Sequence, residues 1–225
     1  MKKIFTLLVF LITLGANAQD GTASPDYTAI EKNIKNEASP YYYTTLLNRF
    51  KKGDTTLTLD EGRHLYYGYA FTSKTYDVNS INAISISLRE VLQKADPTTT
   101  DMESVLELSD KLLEVNPFSI TVKEYRIYCL KELGMLEQAK IEKAQTDIIV
   151  DAILSSGDGT TKLSSIHVIN AGNEYELASI MGFEPVYNQF GINNKYDYLT
   201  LNKNSYNLQG LYFEVAAPTK LVTGI

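Results

Sequence analysis

Apolar residues recur at three- and four-residue spacing over residues 27–153, then give way to short alternating runs, which predicts a helical array followed by a small sheet. Tyr43, Leu46, Leu47 and Phe50 mark one helix, closed by Lys51-Lys52-Gly53-Asp54 with its basic last turn and glycine. A second helix is predicted over residues 60–70. Val78, Ile81, Ile84, Leu88, Val91, Leu92 and Ala95 draw one apolar stripe along a third, which stops at Asp96-Pro97 because proline pushes the preceding residue out of the helical region. Thr100-Asp101-Met102-Glu103 has the pattern of a capping box, in which hydroxyl and carboxylate each satisfy an orphaned backbone N–H, and it opens a helix through Val105, Leu108, Leu112 and Val115. Thr121 and Glu124 repeat that spacing ahead of Tyr125, Tyr128, Cys129 and Leu133. Only two residues, Gly134 and Met135, separate that helix from one through Leu136, Ala139, Ala144, Ile148 and Ile149, so the two run antiparallel.

Beyond residue 153 the segment Ser155-Ser156-Gly157-Asp158-Gly159-Thr160-Thr161 reads as a flexible connector. Short β-rich runs follow at 166–169, 196–201 and 211–215, with 174–181 open between strand and short helix. Asn193-Asn194 and residues 202–207 read as turns between antiparallel strands. The expected class is α+β, with a tetratricopeptide-like helix array over 19–153 and an α/β or β-rich region over 154–225 whose small antiparallel sheet packs on the helices.

Two resemblances bear on this layout. The segment Leu112-Leu113-Glu114-Val115-Asn116-Pro117, followed by Leu133-Gly134-Met135-Leu136-Glu137-Gln138-Ala139, resembles a tetratricopeptide repeat, with Pro117 lying 17 residues before Gly134 and 22 before Ala139. Lys123, Arg126 and Ile127 stand where that repeat carries a large aromatic residue and a Leu-Gly pair, so the unit is degenerate. The chain also resembles an exported family of Gram-negative bacteria catalogued as domain of unknown function 4919. That likeness rests on Leu47-Asn48-Arg49-Phe50 with Gly53-Asp54, Arg63 with Leu65-Tyr66-Tyr67-Gly68, Asn116-Pro117-Phe118, the 155–159 loop, Glu174-Tyr175 and Leu211-Tyr212-Phe213. It implies an exported protein and leaves activity, substrate and cofactor blank.

The N-terminus reads as a secretory leader. Lys2 and Lys3 precede an apolar run of 11 residues, and Ala16-Asn17-Ala18 is a small-x-small cleavage pattern, so cleavage is expected after Ala18. The run is well short of the ~20 residues that span a bilayer, and no cysteine stands near the cut to carry a lipid. A soluble periplasmic or secreted protein without stable membrane insertion is therefore expected. Cleavage leaves 207 residues and a net charge of about −8, enough chain for a core and the wrong sign for nucleic acid. The single cysteine, Cys129, cannot staple the fold and is expected to be a buried small hydrophobe.

Candidate chemistry concentrates around Arg49, Asp54, Arg63, His64, Tyr66 and Tyr67. Arg63 and Tyr67 share a helix face and Arg49 lies on the preceding helix, so two guanidiniums can converge on a carboxylate or phosphate. The competing reading is an Arg49–Asp54 or Arg63–Asp60 ion pair with the tyrosines as packing residues. Ser156, Gly157, Asp158 and Gly159 offer backbone N–H groups to an anion, but the loop lacks the lysine and glycine spacing of a phosphate loop and the acidic alternation of a calcium loop. A Ser156–His167–Asp158 relay has no nucleophile-elbow sequence behind it, and His167, alternating with Ile166 and Val168, is expected to face solvent. Glu174 and Glu176 are a conceivable pair of acid–base carboxylates. No metal-ligand spacing and no cofactor motif is present in the sequence. The expectation is a non-enzymatic binding or scaffold protein whose helical groove recognises a peptide, protein or envelope component. The alternative is a hydrolase-like enzyme with a site near Arg63, Tyr67 and the 155–161 loop.

Overall fold

The computed structural model describes residues 22–72, 77–186, 190–192 and 196–216, with only the backbone described for 190–192. The leader read over residues 1–18 and the turn at Asn193-Asn194 lie outside the described residues. Among the described residues seven α-helices come first: α1 (Tyr27–Lys35), α2 (Tyr43–Lys51), α3 (Leu59–Gly68), α4 (Val78–Leu92), α5 (Thr99–Val115), α6 (Ile120–Glu132) and α7 (Leu136–Leu154). There follow β1 (Ile166–Val168), α8 (Gly172–Ile180), β2 (Phe190–Ile192), β3 (Tyr196–Thr200) and β4 (Gly210–Val215). The class is α+β.

Helix ends follow local chemistry, with two shifts from the expected boundaries. Helix α5 starts at a capping box of Thr98 and Asp101, not Thr100 and Glu103, so it begins nearer to Pro97. Helix α6 is capped by Ser119 in place of the expected Thr121–Glu124 box, and the N–H groups of Ile120 and Thr121 donate instead to Glu176 of α8. Between α6 and α7 the chain turns at Gly134, whose φ of 74° is open to glycine at low cost, and Ala139 is buried just beyond.

Packing runs in series: α4 lies on α5, α5 on α6, α6 on α7, α7 on α3, and α3 on α1. The main core takes Ile30, Leu46, Phe50, Leu65 and Ile153 from the helices, together with Ile166, Leu199 and Phe213 from the sheet. One hydrophobic core thus crosses residue 153. Leu88, Val105 and Cys129 centre a smaller cluster that ties α4 and α5 to α6, and Cys129 is buried as its apolar surroundings imply.

The sheet differs from the expected antiparallel one. Its order is β1-β4-β3-β2, and β1 pairs with β4 in parallel while the other pairs are antiparallel. The chain leaves β1 through α8 and two further strands before reaching β4, which supplies the long crossover that parallel neighbours need. Residues 174–180 fall within α8, so the strand option there is ruled out. His167 is not surface-facing: all three residues of β1 are buried, and Tyr27 of α1 lies with its ring centroid 6.5 Å from the imidazole. Residues on both faces of this strand are buried, so alternation along it no longer separates core from solvent.

Candidate functional site

Arg49 and Arg63 do not converge on a shared ligand position; each is held by separate groups of the fold. Arg49 Nε donates to Asp54 Oδ2 at 2.7 Å and Nη1 to Glu61 Oε1 at 2.5 Å, linking the loop after α2 to the capping box of α3. Hydrogen bonds from Thr56 and Arg49 push the Asp54 carboxyl down to about 2. Arg63 Nη1 donates to Ser155 Oγ at 2.5 Å and Nη2 to the Ala23 carbonyl at 2.7 Å, with no ion pair to Asp60. His64 stacks on Tyr41 at 3.8 Å and is bonded to Asn33 and the Asp60 carbonyl.

Tyr66 and Tyr67 are core residues, 1% and 0% exposed. Tyr66 Oη donates to Asn173 Oδ1 at 2.8 Å and accepts from Ile169 N at 3.2 Å, so α3 is bolted to α8 and the end of β1. Tyr67 Oη lies 3.2 Å from both the Ala152 and His167 carbonyls. Burial pushes the Tyr67 phenol up to about 12, which keeps it a neutral donor. Both tyrosines are inaccessible to a ligand on the surface.

The 155–161 loop is a packed turn, not a loose connector. Ser156 Oγ donates to the Ile153 carbonyl at 2.6 Å and accepts from His167 N at 2.9 Å. Ser156 and His167 therefore do meet, but through the histidine backbone, and Asp158 accepts from Thr160. That pattern has no proton relay from serine to imidazole to carboxylate. Gly157 is buried beneath the backbone of Ser164 and Ser165, and Gly159, at a φ of 71°, accepts from Tyr212 N at 2.8 Å. The N–H of Gly159 donates to the Ser164 carbonyl, so it is turned inward and not offered to an anion.

Glu174 and Glu176 part company. Glu176 accepts from Ser119 Oγ, Ile120 N, Thr121 N and Asn173 Nδ2, a cap for α6 delivered from α8. Glu174 is 0% exposed, and burial, reinforced by neighbouring Asp197, pushes its carboxyl up to about 9. Neither carboxyl reaches solvent in the way a glycosidase pair must.

A recess among the described residues lies along the apolar stripe of α4. Ser85, Leu88, Arg89 and Leu92 of α4 with its C-cap Gln93, Leu112 of α5, and Val122 and Tyr125 of α6 enclose a groove of about 370 Å³. Its rim residues Leu92 and Tyr125 are 38% and 36% exposed. Helix α5 forms its floor at Leu112, and the walls are the two helices flanking α5. The α4 stripe serves two surfaces: Leu88 is buried in the cluster with Cys129 and its edge lines the groove, while Leu92 stands exposed at the groove's rim. Apolar spacing alone carries no mark of that division.

Comparison with known families decides membership. The family model described as Domain of unknown function (DUF4919) matches residues 28–222. The chain belongs to the DUF4919 family. No curated protein and no solved structure matches it.

In this DUF4919 chain the α6 wall of the groove is held by a buried polar network that the sequence reading missed. Lys123, 2% exposed, donates to Glu142 Oε2 at 3.1 Å and to Gln145 Oε1. Arg126 Nε donates to Glu142 Oε1 at 2.5 Å, and Gln145 Nε2 donates to the Lys51 carbonyl at 3.1 Å. Burial lowers the Lys123 ammonium from its ordinary value while Glu142 opposes that shift. Glu142 and Gln145 sit three apart on one face of α7, which is the only sequence signal that points to a common partner. The network orients α6 on α7 and, through Lys51, on the end of α2.

Proposed function

We propose that this DUF4919 chain is an exported, non-enzymatic binding module of the cell envelope whose helical layer takes up a segment of a protein or peptide. The observation that carries this reading is the groove between α4 and α6, apolar at Leu88, Leu92, Leu112 and Val122 and bordered by the half-exposed Tyr125. A trough of apolar and aromatic side chains with a few polar groups at its edge is the usual chemistry of a recognition site. Its walls are anchored, α6 by the Lys123 network and α4 by the cluster around Cys129, so little ordering is needed on binding. Export rests on the leader pattern of residues 1–18 and implies a periplasmic or secreted location.

The hydrolase-like alternative near Arg63, Tyr67 and the 155–161 loop has less behind it. Those segments do meet, but Tyr67 is 0% exposed and Arg63 is engaged by Ser155 and Ala23.

A photo-crosslinking residue placed at Leu92 or Tyr125 in intact cells tests the reading, with Lys203 as an exposed control outside the groove. Adducts specific to the two groove positions, on a protein whose N-terminus is Gln19, are expected. Identical adducts at all three positions, or an uncut protein confined to the cytosol, would refute it.

A further inference from the structure

The chain has four arginines, and three are committed inside the fold. Arg49 is held by Asp54 and Glu61, Arg63 by Ser155 and the Ala23 carbonyl, and Arg126 by Glu142, Asp110 and the Leu106 carbonyl. Arg89 is the exception. It is exposed on the α4 wall of the groove, next to Leu88 and Gln93, and makes no side-chain hydrogen bond or ion pair among the described residues.

A guanidinium without an internal partner, at the edge of an apolar trough, is matched to a carboxylate. Its planar fork gives two parallel N–H···O bonds, and the adjacent apolar wall reduces the screening that weakens such pairs in open water. A cationic segment is repelled there. At about 370 Å³ the groove stands near the lower end of ligand sites, so it accepts a few side chains and not a folded surface.

We infer that the groove binds an acidic, apolar protein segment, with a glutamate or aspartate carboxylate on Arg89 and apolar side chains against Leu92, Leu112, Val122 and Tyr125. This inference rests on the groove reading above and specifies the chemistry of its occupant. Gln93, the C-cap of α4 one turn beyond Arg89, supplies an amide for the segment's backbone.

The test uses the purified full chain and an array of short fluorescent peptides, acetylated and amidated at their ends, in which one position of an apolar frame is glutamate, glutamine or lysine. Glutamate peptides are expected to bind about tenfold more tightly than their glutamine counterparts, the scale of one charge-assisted pair. Arg89→Ala should abolish that difference without changing the glutamine affinities, Arg89→Lys should retain part of it, and Arg89→Glu should favour the lysine peptides. Thermal melts of each variant separate loss of binding from loss of the stabilising basic residue in the last turn of α4. Equal binding of glutamate and glutamine peptides overturns this inference and leaves the groove reading standing. Failure of every peptide to bind overturns both.

Discussion

Glu174 on α8 is fully buried beside Asp197 of β3, which occupies the sheet row of Ile166 and Phe213, otherwise apolar. The native state therefore holds a proton that an unfolded chain would release. With the carboxyl raised from 4.5 to about 9, its contribution to stability is intact below about pH 4.5 and is lost as pH rises toward about 9. The slope is about 1.4 kcal/mol per pH unit, so by pH 7 the loss amounts to about 3 kcal/mol. Glu174→Gln keeps the shape and a hydrogen-bond donor toward Asp197 but removes the titration. Urea unfolding followed by far-UV circular dichroism, in steps from about pH 5 to about pH 8, compares the two proteins directly. At the acid end they should be nearly equal in stability, and the variant should gain on the parent with each step upward. A stability difference that stays constant with pH would refute the reasoning, because it would mean that Glu174 does not retain a proton specific to the folded state.

Lys123→Ala leaves Gln145 Oε1 without its donor and Glu142 with only Arg126, so a loss of about 3–5 kcal/mol is expected, read as a lower urea midpoint at unchanged slope. A loss below about 1 kcal/mol would show that water replaces the ammonium without cost. Gly157→Ala puts a Cβ 2.2 Å from the Ser165 carbonyl oxygen, whereas Gly134→Ala meets nothing within 4 Å and bears only the strain of positive φ. Thermal denaturation should therefore show the Gly157 variant much less stable than the Gly134 variant, which loses only about 1–2 kcal/mol. Comparable melting of the two would contradict the packing around Gly157.

Much of this fold is written in short-range chemistry. The helix over 43–51, the break at Gly53, the stop before Pro97 and the two-residue turn at Gly134 are legible because each depends on residues within a turn of one another. Family membership was legible for a similar reason, since its motifs are short and follow in order along the chain. The candidate site was not. Arg49, Arg63, Tyr66 and Tyr67 have the residue types of a binding site, but those types serve equally well to clamp helices, and only the positions of Glu61, Ser155, Asn173 and Ala152 choose between the roles.

By itself the sequence determined where most helices start and stop, which regions are helical or β-rich, and that Cys129 is a packing residue. These depend on caps, turn residues and periodicity, all acting over a few residues. Tertiary structure decided the rest: the parallel pairing of β1 with β4, the burial of His167 on a strand buried on both faces, the capping of α6 by Glu176 from more than fifty residues away, and the division of one apolar stripe between core and groove. Each of these is set by which surfaces meet, and an apolar or polar residue carries the same local signal whichever neighbour it is given.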